Sequence, residues 1–192
     1  MAGVQRVPSQ FIFATEALRD AAIPAPVEGQ RAYVTASTVA AATGVTTAVP
    51  TGVQTIYNGA VWVCVTPVGA RSSTNATTTS TSYVTTLTGD GTALSVTLVT
   101  GTTAKVEFFS TAVDDSNYAW QSVSVSGATT LAANNDNAAQ FYWFSAAAGI
   151  TYGRNLILTG LTAGTNTFTL NYKVSGATGT FEERSLVVGG IA

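Results

Sequence analysis

At 192 residues the chain is long enough for one large β domain with an added arm, or for two small domains. Only 9% of its residues are charged and the net charge is −2, with no basic run to track a phosphate backbone, which argues against nucleic-acid binding. Polarity comes instead from Thr, Ser, Asn and Gly, a surface that repels its neighbours weakly and suits packing against copies of itself.

Taken in chain order, residues 1–36 read as an N-terminal arm that holds the one helical signal. Thr15 is placed to cap a helix over 16–22, and Pro24 and Pro26 stop it. Two turns are too short to stand alone, so this helix must lie against something else. Residues 30–67 read as a small β-hairpin unit, with one strand at 31–35 and two more at 53–57 and 60–65. The last two flank Asn58-Gly59, the strongest short hairpin signal in the chain. The Ala/Thr/Gly-rich stretch 38–51 reads as a loop.

The uncharged run 32–70 is broken by Gly44, Pro50, Gly52, Asn58 and Gly59, so no membrane span is expected. The single cysteine, Cys64, cannot form an intramolecular disulfide and reads as a small buried hydrophobe. Without a cationic start and a continuous apolar stretch, synthesis in a cytoplasm is expected.

Residues 68–80 have the composition of a linker. Beyond them, 81–192 turns into regular strands: 82–87 and 94–100 joined by Gly89-Asp90-Gly91, then 104–113, 118–126, 138–146, 150–161, 166–175 and 181–188. Strands at this spacing, with no helices between them, predict a mainly β chain ending in a jelly-roll-like antiparallel β-sandwich.

Side-chain alternation adds a second inference. Phe168, Leu170, Tyr172 and Val174 fall on one face of their strand, with Thr167, Thr169, Asn171 and Lys173 on the other. Phe141 and Trp143 oppose Tyr142 and Phe144, and Phe108 opposes Phe109. A two-sheet sandwich has only one inner face for each sheet, so the outward aromatics predict an interface. Phe109, Trp120, Tyr142, Trp143 and Phe144 are the candidate interface residues, and self-association is the preferred reading. Tyr118, Trp120, Tyr142 and Trp143 also suit stacking on the apolar face of a sugar, although burial in a core or interface is the favoured reading of those rings.

The catalytic inventory is poor. The chain has no histidine, which excludes a Ser-His-Asp triad, a Cys-His pair and a His-containing zinc site. Asp114 and Asp115 follow the strand holding Glu107 and have the chemistry for acid/base work or Ca²⁺, but Asp-Asp-Ser-Asn is first of all a turn sequence. The run Asn134-Asn135-Asp136-Asn137 reads the same way. Glu182, Glu183 and Arg184 read as surface or inter-subunit ion pairs. No catalytic residue, metal or cofactor is expected.

The stretch Pro24-Ala25-Pro26-Val27-Glu28-Gly29-Gln30-Arg31-Ala32-Tyr33-Val34, followed by Ile56-Tyr57-Asn58-Gly59-Ala60-Val61-Trp62, resembles a module of tailed-bacteriophage virion proteins. In that module a P-x-EG-x-x-x-Y strand precedes a YNG-x-x-W hairpin. The insertion between the two halves is longer here than in the compact form. The resemblance implies an anchoring hairpin carried by Tyr33, Tyr57, Asn58, Gly59 and Trp62.

The later strands, around Leu161-Thr162-Ala163-Gly164-Thr165-Asn166 and Arg184-Ser185-Leu186-Val187-Val188, resemble in texture the trimeric jelly rolls that cap phage fibres or decorate heads. Together these resemblances imply a non-enzymatic protein of the virion surface, made in the cytoplasm of a bacterial host. The leading expectation is a capsid decoration or accessory protein that stabilises the particle as a homotrimer, held by the major capsid or tail protein. The alternative is a minor tail or receptor-binding protein that recognises a host cell-wall glycan.

Overall fold

The computed structural model describes residues 11–114, 118–142 and 150–192. The chain begins with β1 (Phe11–Phe13), which runs parallel to β2 (Arg31–Val34). Between them lies α1 (Glu16–Ala22), whose first turn is closed by Thr15 Oγ1 accepting from Leu18 N at 3.3 Å. The helix is held from both ends. The Glu16 carboxylate accepts from the Ser37 hydroxyl at 2.6 Å, and the buried Arg19 guanidinium sits 4.7 Å from the Trp62 ring centroid. Antiparallel pairing of β2 with β5 (Val53–Tyr57) and of β5 with β6 (Trp62–Cys64) completes a four-stranded sheet.

The β5–β6 turn is wider than a two-residue hairpin. Asn58 Oδ1 accepts from the backbone of both Ala60 and Val61, and Gly59 supplies a φ of +91°. This sheet packs on the rest of the molecule through close backbone approach. A Cβ on Gly190 would lie 2.6 Å from Val63 Cγ1, so no larger residue fits there.

The remainder is a β-sandwich. Its five-stranded sheet has the order β12 (Ala139–Tyr142), β11 (Tyr118–Gly127), β14 (Gly164–Val174), β9 (Ser95–Thr100), β3 (Ala40–Thr43). The facing sheet runs β13 (Ile150–Thr159), β10 (Thr103–Asp114), β15 (Gly179–Ile191), β7 (Val68–Ser72), β4 (Thr46–Ala48), with β8 (Ala76–Thr78) also paired to β15. Phe168, Leu170, Tyr172 and Val174 of β14 are buried against Val106 and Phe108 of β10 and Phe181, Leu186 and Val188 of β15. The jelly-roll-like antiparallel sandwich expected from the strand spacing is the observed fold.

Three local expectations are corrected. The expected loop 38–51 contains β3 and β4, one strand in each sheet, turning at Gly44, where a Cβ would sit 3.1 Å from the Arg71 carbonyl. The expected linker 68–80 holds β7 and β8. Its small residues read as flexible in isolation, yet Ala70 and Ala76 are buried against the long central strand β15. Conversely, 82–87 forms no strand. It makes only single bridges, Val84 with Tyr172 and Leu87 with Asp90.

Because β7 is a central strand paired with both β15 and β4, Ala70→Pro removes one of its ladder hydrogen bonds and costs roughly 1–3 kcal/mol or more. Urea unfolding checks this directly, and a midpoint equal to that of the parent protein would mean that the segment behaves as a linker.

Candidate functional site

The outward face of the five-stranded sheet carries a row of part-exposed rings, Tyr118, Trp120 and Tyr142. Register decides which side chains meet there. On β11, Ala119, Gln121 and Val123 point inward, so Tyr118 and Trp120 point outward. Tyr142 stands opposite Tyr118 and Gln140 opposite Trp120 across the β11–β12 pair, while Lys173 stands opposite Trp120 across β11–β14. The Tyr118 ring lies 4.5 Å from that of Tyr142 and 5.5 Å from that of Trp120. Tyr118 is 39% exposed and Tyr142 42%.

Tyr83 extends this row beyond β14. The Val84–Tyr172 bridge puts it beside Lys173, whose ammonium lies 4.7 Å from the ring centroids of both Tyr83 and Trp120. The Tyr83 hydroxyl reaches Asn135 Oδ1 at 3.0 Å, and the turn holding that residue is closed by Asn137 N donating to Asn134 Oδ1 at 2.9 Å. The Asn-rich run is thus turn chemistry that also braces the strip. Sequence reasoning placed Lys173 on a wet face but missed Tyr83, because a single long-range bridge has no local signature.

The other sequence-singled residues are dispersed. Phe109, 42% exposed, lies outward on β10 in the opposite sheet, so it is not part of this strip. Trp143 and Phe144 lie outside the described residues, as does Asp115. The anchoring-hairpin residues do cluster: the rings of Tyr57 and Trp62 meet at 5.5 Å, tilted by 57°, on either side of the Asn58-Gly59 turn, and Tyr33 closes over Gly52 one strand away.

Asp90, Glu107 and Glu183 are each tied to a structural partner. Lys105 beside Glu107, at 2.6 Å, holds the Glu107 carboxyl below the usual carboxylate range. Glu183 pairs with Arg71 at the surface. Arg184, expected at the surface, is buried. The bulge in β15, where Glu183 and Arg184 stand opposite Ser110 of β10, and the φ of +46° at Glu183 turn it inward, onto Asp90, Ser72 and the Thr74 carbonyl. Among the described residues, no three His, Cys, Asp or Glu side chains group closely enough to hold a metal. Cys64 is buried, and that burial raises its thiol pKa to about 11.

No family model and no curated protein sequence matches the chain. Solved structures with a likeness include the Eiger TNF of S. frugiperda, at 8% identity and TM-score 0.45, covering 65% of this chain and 92% of that one. TmCBM61 in complex with β-1,4-galactotriose follows at 11% identity and TM-score 0.28, covering 62% and 68%. The enzymatically active domain of tailspike protein 4 of bacteriophage CBA120 has 11% identity and TM-score 0.28, covering 65% and 19%. With every TM-score below 0.5, these likenesses carry no functional weight.

Burial pushes the phenols of Tyr83 and Tyr172 up from 10.0 to about 12. The fold therefore favours their neutral forms. That stability is fully present below about pH 10 and is lost as pH rises through about 12. Ultraviolet titration is expected to show the Tyr83 and Tyr172 phenols ionising near pH 12, the first of them lost in Tyr83→Phe. Ionisation of both near pH 10 would contradict this packing.

Proposed function

We propose that this chain is a non-catalytic surface protein of a bacteriophage particle whose β-sandwich recognises a glycan of the host cell wall. The observation that carries the recognition half is the Tyr118–Trp120–Tyr142 strip, a set of outward rings on paired strands rather than on loops. A hexopyranose presents an apolar C–H face and a polar rim. The rings match the first, and the exposed Gln140 amide together with neighbouring hydroxyl and amide side chains matches the second.

The particle half rests on the phage-module resemblance of residues 24–34 and 56–62, which supply β2 and the β5–β6 hairpin. Supporting it, this part of the chain exposes Phe11, Ile12, Leu18 and Val27, apolar side chains suited to a partner such as a capsid or tail protein. Supporting a non-catalytic reading, Asp90, Glu107 and Glu183 are each committed to a structural ion pair. A second reading, capsid decoration as a homotrimer, is favoured by a different surface. Phe109, Ile157 and Ile191 are exposed on the six-stranded sheet, beside a groove of about 190 Å³ lined by Val65, Pro67 and Val187.

Two measurements separate these readings. Quantitative mass spectrometry and imaging of purified particles are expected to find few copies, at the tail. Scores to hundreds over the head would favour decoration, and absence from particles would end both. Purified host cell wall is expected to bind the protein, with Trp120→Ala and Tyr118→Ala each weakening binding about tenfold, the worth of one good ring contact. A wild-type protein that ignores the wall would remove the glycan reading.

A further inference from the structure

Resting on the glycan reading, we propose that the saccharide held by this strip is acidic, a hexose bearing a carboxylate or phosphate that pairs with Lys173. The strip is a cross-strand row in which Tyr83, Lys173, Trp120 and Gln140 follow one another on neighbouring segments. Lys173 is its one charge. Arg19, Arg71, Lys105 and Arg184 each have a carboxylate partner, and Arg31 and Arg154, which have none among the described residues, lie on β2 and β13 in the other two sheets. Among the described residues Lys173 has none, and two ring faces flank it instead.

The rest of the outward face is mostly hydroxyl and amide, with Thr97 bonded to Thr167 at 2.8 Å and Asn171 to Ser124 at 2.8 Å. A local charge of +1 therefore stands on a chain whose net charge is −2. Ring quadrupoles fix the direction of an ammonium, but they do not neutralise it, and its remaining N–H donors are left for a ligand. An anion arriving there meets a cation already in position. A sugar ring stacked on Tyr118 and Tyr142 also displaces water from the neighbourhood of that pair, which strengthens the attraction.

A carboxylate and a phosphate share this chemistry, and the test distinguishes them. Binding of the full chain is measured by calorimetry to an oligogalacturonate, to a hexose-substituted glycerol-phosphate polymer and to a neutral galacto-oligosaccharide. The expected result is at least tenfold tighter binding of one or both acidic ligands. That advantage should shrink between about 0.05 and about 0.5 M salt as the charge pair is screened. Lys173→Gln is expected to abolish the acidic preference and Lys173→Arg to retain it.

Equal, salt-independent binding of acidic and neutral ligands by the wild-type protein would overturn the acidic inference and leave the glycan reading standing. Failure of the wild-type protein to bind any saccharide would overturn both. Because wild-type selectivity is itself decisive, a variant that folds poorly does not protect the proposal.

Discussion

The placement of Arg184 governs more of this molecule than any other single contact. A guanidinium with almost no exposed surface costs several kcal/mol to desolvate unless it is paired and hydrogen-bonded. Its partner Asp90 comes from the turn that follows the sequence-distant bridge of Thr77 with Thr88. Burial alone would raise the Asp90 carboxyl, but Ser72 and Arg184 bond to it and hold it below the usual carboxylate range. The ion pair therefore fixes where residues 79–93 must run, because a turn placed elsewhere would leave a charge stranded in the core.

That constraint reaches the outer surface. From the Asp90 turn the chain is tied to β14 at two more points, with Val174 donating to Ser80 and Val84 exchanging both bonds with Tyr172. Tyr172 faces the core, where its ring meets Phe181 edge-on at 5.0 Å and lies near Arg184. The next residue, Lys173, necessarily faces out, as does Tyr83 beside it. Thus a pair buried in the sandwich sets the position of a ring on its surface, and Tyr83 completes the cradle around Lys173 only because Asp90 is held inside.

How much of this was legible in the sequence follows from the range of each interaction. Where one face of a strand is apolar, as in Phe168-Thr169-Leu170-Asn171-Tyr172-Lys173-Val174, period-two alternation states both the strand and its orientation. The capped helix at Thr15 and the turn at Asn58 and Gly59 were equally readable, since their chemistry is local. Ala70 and Ala76 were not. Nothing in a Gly/Ala/Ser/Thr stretch announces that a long neighbouring strand will pair with it, and only the pairing makes it a strand. The inward turn of Arg184 was hidden for a related reason. A bulge shifts the side-chain period by one residue, and here the bulged residue is Glu183 rather than a glycine. The strip itself was half visible, since Tyr118, Trp120 and Tyr142 could be named in advance but not their common face.

The construction of that face bears on how it would work. Rings carried on loops must be ordered when a ligand arrives, which costs about 0.5–1.5 kcal/mol for each immobilised side chain. Here Trp120 is held between Lys173 and Tyr118, and its strand is laddered to β12 on one side and β14 on the other. Most of the ordering cost is met in folding. A face so prepared needs few strong contacts, which fits a chain with so little charge. Its selectivity then rests on geometry and on one ammonium, whose influence on a ligand extends only about a Debye length, roughly 8–10 Å in ordinary salt. On the proposed glycan reading, discrimination by such a face would be confined to the sugar units that lie directly on the strip.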